Sequence, residues 1–170
     1  MPAILGLVVL LAGCGGGGGG GTTSAQAGKR VVGVGFTFST PDSWRVSHES
    51  TSVTIRPGGE GPTLASVTTL RLRRPYDPTL FAKVTRELDR VTNALAGKLD
   101  GKVIARHTVV VAGGRARQYD LAYEKDGTGL VDRITFVLRG KSEYYVLCRW
   151  LADEGEPDAC ALLQSSFAVR

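Results

Sequence analysis

The residues best equipped for chemistry are three cysteines, Cys14, Cys148 and Cys160, and two histidines, His48 and His107. Cys14 closes the tetrapeptide Leu11-Ala12-Gly13-Cys14, after an apolar run from Ile4 and ahead of seven consecutive glycines. A thiol here can take a diacylglyceryl group through a thioether, and small Ala12 and Gly13 leave the backbone open to a peptidase. The pattern is that of a bacterial lipobox. The apolar run fits a signal-peptide core of ~7–15 residues and is too short for a spanning helix of ~20. Two acyl chains on one residue give stable anchoring, since each buried methylene contributes about 0.8 kcal/mol. One feature departs from the pattern: no Lys or Arg precedes Cys14, so either the start lies upstream of Met1 or the export signal is weak.

Cys148 and Cys160 remain as an even pair. In an exported protein that parity points to a disulfide, expected to stabilise by ~2–4 kcal/mol. A buried thiol pair and a metal site are the alternatives. The metal site lacks nearby ligands, because the only histidines are His48 and His107. Each histidine reads as a strand residue satisfied by a neighbour, with His107 on the face of Val103, Ala105, Val109 and Val111. No Gly-x-Ser-x-Gly elbow and no phosphate loop occurs. Asp153, Glu154, Glu156 and Asp158 match no calcium-loop spacing and read as a solvated loop. Asp120, Glu124 and Asp132, with Arg115, Arg117 and Arg133 among them, read as opposite charges across a solvent-facing sheet. The sequence therefore implies no catalytic residue, no metal and no cofactor.

The net charge is +5 and the pI about 9.3. A membrane anchor argues against a nucleic-acid partner, and the chain lacks interleaved stacking aromatics. Anionic phospholipid headgroups or anionic wall polymers are the nearer acidic partners. The clearest basic stretch is Arg71, Arg73 and Arg74, which with Leu70 and Leu72 reads as one alternating strand with a solvated face.

These residues must be positioned by the elements around them. The composition divides the chain into a signal peptide with its lipobox (1–14), a Gly-rich tether (15–30) and a single globular domain (31–170). About 15 tether residues give a coil with a root-mean-square reach of ~20 Å. The domain opens with a strand at Val34–Ser39, then short strands at Trp44–Val46 and Val53–Arg56 and a long one at Leu64–Arg73. Asp77 and Pro78 announce a helix, as N-cap and first helical residue. Its apolar stripe is Phe81, Val84, Leu88, Val91 and Leu95, Arg86, Glu87, Asp89 and Arg90 mostly face away, and Gly97 caps its end. Four strands follow, at Val103–Val111, Arg115–Glu124, Leu130–Arg139 and Ser142–Leu151. Their turns are Gly113-Gly114, 125–129 and Gly140-Lys141, and such tight turns imply antiparallel pairing. Pro157 starts a short closing helix. The expectation is an α+β domain: an antiparallel sheet of about eight strands with one long central helix and a short C-terminal helix.

Four motifs then converge: Phe36-Thr37-Phe38-x-x-Pro41-Asp42-x-Trp44, the central helix, Val111-Ala112-Gly113-Gly114-Arg115-Ala116, and the Tyr144-Tyr145-Val146-Leu147 strand with its Cys-bearing helix. In these the chain, from Val34 to Val169, resembles the LpqN-type lipoproteins of actinobacterial envelopes, within the PsbP-like α/β/α sandwich superfamily. The resemblance implies a binding or scaffolding module and supplies no catalytic residues. The expected function is that of a membrane-anchored extracytoplasmic lipoprotein with an envelope protein partner. A carrier or sensor of a small apolar or anionic ligand is the alternative, and an envelope hydrolase a more distant one.

Overall fold

In the computed structural model, residues 28–170 are described. The lipobox residues Leu11, Ala12, Gly13 and Cys14, the signal peptide and most of the tether lie outside the described residues. The fold begins with a hairpin, β1 (Lys29–Gly33) and β2 (Phe36–Thr40), whose turn is Val34-Gly35. Lys29 and Arg30, assigned by sequence to the tether, are thus in a strand. The expected strand Val34–Ser39 starts two residues later, because Gly35 takes the left-handed φ of 78° that reverses the chain.

Next come β3 (Arg45–His48), β4 (Ser52–Arg56) and β5 (Leu64–Arg71). A short 3-10 turn, Pro78–Leu80, leads into α1 (Phe81–Lys98). The Asp77 carboxylate accepts the Thr79 amide at 2.9 Å, which is the expected cap. Four long strands follow: β6 (Lys102–Val111), β7 (Gly114–Lys125), β8 (Thr128–Arg139) and β9 (Ser142–Leu151). The chain closes with α2 (Asp158–Ser166) and a short β10 (Ala168–Val169).

The expectation of one sheet of about eight strands needs correction. There are two antiparallel sheets, one of three strands ordered β1-β2-β10 and one of seven ordered β3-β4-β5-β9-β8-β7-β6. The small sheet and α2 cover one face of the large sheet. Their shared core holds Phe36, Phe38, Val67, Val146, Leu163 and Phe167, with Phe36 packed on Phe38, Tyr144 and Phe167 at ring distances of 5.7–6.1 Å. The opposite face carries a second core of Ala96, Tyr119, Leu121, Ile134 and Phe136 beneath α1, which lies over β6 and β7.

Within α1 the expected stripe meets the protein at Phe81, Leu88 and Leu95 but departs from it at Val91. Val91 is 57% exposed, whereas Thr92 and Ala96 are buried, because these small side chains let the helix approach the sheet closely. Gly97 is not the cap. The helix continues to Lys98, and Asp100 takes the left-handed position with φ 51°; the Gly101 amide donates to the Ala96 carbonyl at 2.9 Å and the Asp100 amide to Gly97 at 3.3 Å.

Two hairpin turns are tighter than or displaced from their expected positions. Ala112-Gly113 replaces Gly113-Gly114, and Asp126-Gly127 suffices for 125–129; all four residues have positive φ, as a two-residue turn matching strand twist requires. A bulge at Ile104 also moves Val103 to the α1 face, away from Ala105, His107 and Val109.

Candidate binding surface at one end of the large sheet

The register of the strands brings distant cations to one end of the large sheet. β5 stops at Arg71 because its partner β9 begins at Ser142. The chain then crosses the β8–β9 turn: the Leu72 amide donates to the Lys141 carbonyl at 2.9 Å, and the Tyr76 amide to the Gly140 carbonyl at 2.7 Å. The β6–β7 and β3–β4 turns lie at this same end. Arg71, Arg73, Arg74, Arg115, Arg139 and Lys141 therefore gather there from three separate stretches of sequence. None of the six is in an ion pair among the described residues.

Beside the α1 N-terminus these residues form a pocket of about 320 Å³, with Pro78, Phe81 and Leu138 as apolar lining and Tyr76, Arg115 and Arg139 as polar groups. The Arg115 guanidinium stands 4.0 Å from the centre of the Phe81 ring. Arg139 is held by backbone, donating to the Leu138 carbonyl at 2.7 Å and the Val111 carbonyl at 3.0 Å. Gly114 makes room for it, since a Cβ there would run into the guanidinium. Two fixed positive charges over an apolar floor suit an anionic group attached to an apolar or neutral body. Burial pushes the Tyr76 hydroxyl up, and Arg139 and Arg115 oppose that shift only in part, so it is a neutral donor at physiological pH.

Three acids share this end: Glu49, Asp77 and Glu143. Hydrogen bonds from the Thr79 side chain and amide hold Asp77 below the usual carboxylate range. Burial pushes Glu143 up. Four of the large apolar side chains that stay exposed are here as well: Val34 at 57%, Leu70 at 46%, Leu80 at 48% and Val110 at 76%.

Arg71, Arg73 and Arg74 do not form one alternating strand. Only Arg71 is in β5, and Arg73 and Arg74 belong to the crossing segment. His48 and His107 are both exposed, on β3 and β6. Asp120 and Asp132 occupy adjacent strands but opposite faces, because Asp120 pairs with Arg133 and Asp132 with Leu121 in the β7–β8 register. They are not a carboxylate pair. Arg133 grips Asp120 through Nε and Nη2, both at 2.8 Å, and pairs with Glu156 of the acidic loop. Arg149 holds Asp132 at 2.7 and 2.8 Å, and Tyr123 donates to the same carboxylate at 3.2 Å. Arg117 bonds neither strand carboxylate; with Tyr119 it bonds Asp89, at 3.1 and 2.7 Å, so Asp89 faces the sheet and not solvent. Burial raises the Asp89 carboxyl and is outweighed by those two donors, leaving it below its ordinary value. Cys148 and Cys160 are joined in a disulfide, with Cα atoms 5.8 Å apart. Among the described residues no cluster of His, Cys, Asp and Glu gathers for a metal.

Sequence reading missed Arg139, Lys141 and Tyr76 as companions of the Arg71–Arg74 stretch. The available signal was the Gly140-Lys141 turn, which sets the end of β9 and hence where β5 must stop.

No family model matches the chain, and no curated protein matches it. Solved structures do. A protein of Bacteroides thetaiotaomicron VPI-5482 superposes with a TM-score of 0.63 at 11% identity, over 84% of this chain and 48% of its own, so the chain spans about half that protein's length. The cyanobacterial PsbP protein, CyanoP, of Synechocystis sp. PCC 6803 superposes with a TM-score of 0.61 at 17% identity, over 94% of this chain and 99% of its own. LpqN of Mycobacterium tuberculosis, involved in cell envelope biogenesis, gives 0.49 at 14% identity, over 84% of each chain. The likeness to CyanoP shows a PsbP-like fold.

Proposed function

We propose that this chain is an extracytoplasmic lipoprotein, anchored in the cell membrane through Cys14, that works as a non-catalytic binding module of the cell envelope. One observation carries the binding part of the reading: six cations without carboxylate partners among the described residues converge at one end of the large sheet, around a pocket with two guanidinium groups. Charges left unneutralised by the fold attract an anionic partner and orient its approach. The address is supported by the sequence Leu11-Ala12-Gly13-Cys14 and the glycine run behind it.

Complementation of a deletion strain separates this reading from an enzymatic one. Arg73→Glu with Arg74→Glu should fail to restore the envelope phenotype, while His48→Ala with His107→Ala should restore it fully. The reverse outcome would overturn the binding reading. The address has its own check: the native chain should enter the detergent phase on cloud-point separation, and Cys14→Ser should stay in the aqueous phase.

A second reading is a carrier of a small anionic ligand with an apolar body. It is favoured by the pocket volume of about 320 Å³, at the small end of the range for ligand sites.

A further inference from the structure

We propose that the cationic end of the large sheet is a docking face for an anionic phospholipid bilayer, with the pocket of Tyr76, Arg115 and Arg139 seating a headgroup phosphate. This rests on the binding reading above and gives it a partner. Three observations combine. The first is charge asymmetry along the strands. The end with Arg71, Arg73, Arg74, Arg115, Arg139 and Lys141 sets these cations against Glu49, Asp77 and Glu143, whereas at the opposite end Arg45, Arg56, Lys98, Lys102 and Lys125 are balanced by Asp100, Asp126, Asp153, Glu154 and Asp158. An anionic surface would orient such a molecule with its cationic end down.

The second is the placement of exposed apolar side chains. Val34, Leu70, Leu80 and Val110 come from a hairpin turn, β5, the 3-10 turn before α1 and β6, yet all lie at the cationic end. Apolar side chains among cations suit the boundary between headgroups and acyl chains, where a soluble anionic polymer would leave them in water. This favours a bilayer over a wall polymer. The third is the pocket itself: Arg139 is fixed by the Leu138 and Val111 carbonyls and Arg115 by the Phe81 ring, so two cations are pre-set toward one anionic group.

The geometry of attachment agrees. Lys29, where the fold begins, stands one strand away from the cationic end, because the β1–β2 turn is there: the Val34 carbonyl accepts from Thr69 and the Gly35 carbonyl from Tyr144. Five residues of strand span about 16 Å. The tether expected from the sequence, with a reach of ~20 Å, is long enough for that distance.

The test uses the chain from residue 14 onward carrying Cys14→Ser, so that neither an acyl chain nor the apolar run before it contributes. It is mixed with vesicles of phosphatidylglycerol and phosphatidylcholine in roughly equal parts, and with vesicles of phosphatidylcholine alone. Sedimentation should show binding to the anionic vesicles only, lost on raising salt to about 0.5 M. Arg73→Gln with Arg74→Gln should lower the partition coefficient by about 25-fold, near fivefold per cation. Lys102→Gln with Lys125→Gln, at the opposite end, should leave it unchanged. Equal binding to both vesicles, no binding to either, or equal losses from the two double variants would overturn the proposal. So would binding of a soluble glycerol-phosphate polymer in preference to the anionic vesicles. Arg73, Arg74 and Lys125 are exposed, and unchanged unfolding midpoints would show that the fold is intact. Failure here with normal detergent partition of the native chain would leave the anchored-module reading standing.

Discussion

Three side-chain networks, around Asp89, Asp120 and Asp132, carry much of the electrostatic content of this domain at the residue scale. Asp89 is the only carboxylate of α1 that meets the sheet through hydrogen bonds, receiving Tyr119 and Arg117. Its folded-state pKa is depressed, so its contribution is present above its unfolded value and is lost as pH falls through the folded one. Asp89→Asn should therefore cost about 1 kcal/mol at pH 7. The difference from wild type should shrink below about pH 4, as urea melts at both pH values would show. Glu143 has the opposite sign. Burial raises its pKa, so its charge costs stability above that value and nothing once both states are protonated. Glu143→Gln should raise the thermal midpoint at pH 7 and leave it unchanged at pH 3. The disulfide closes a short loop, and Cys148→Ser with Cys160→Ser should lose ~2–4 kcal/mol in urea melts. Parity and export pointed to this bond in the sequence. The Asp89 network was hidden, because a single charged residue in a helix gives no sign of which strand residue faces it.

Among the elements, α1 shows where periodicity succeeds and where it stops. Asp77, Pro78 and the spaced apolar residues located the helix, but its buried face is centred on Thr92 and Ala96, which hydrophobicity alone undervalues. Val91→Lys should cost less than about 0.5 kcal/mol, as an exposed change does. Ala96→Leu should cost ~1–3 kcal/mol by overpacking against Tyr119 and Leu121, and chemical melts of the two variants should separate them clearly. The hairpins were legible from glycine, although the β6–β7 turn begins one residue earlier, at Ala112 with φ 50°. An alanine is strained there. Ala112→Asn should stabilise by about 0.5–1 kcal/mol, read from the denaturation midpoint. The extra strands β1 and β10 escaped the sequence reading for different reasons. β1 follows directly from low-complexity sequence, and β10 is too short for any pattern.

For the whole molecule, the central feature is polarity along the strands: an excess of cations at the end bearing the β8–β9 turn, and cations balanced by acids at the other. Each contributing turn was visible in the sequence, but their meeting depends on strand order. β5 lies beside β9 only because the chain passes through α1 and three strands before returning. That long-range pairing is what converts Arg71, Arg73 and Arg74 from a solvated strand face into one wall of the proposed binding surface. The fold class was therefore readable from local patterns, whereas the site was not. The proposed function requires this end to be the one that meets a partner. The most direct test is site-specific photo-cross-linking in intact cells, with a reactive aromatic residue placed at Lys141 in one variant and at Asp126 in another. Adducts with a lipid or an envelope protein from position 141, and none from 126, are the predicted result. Adducts only from position 126, or from neither, would contradict it.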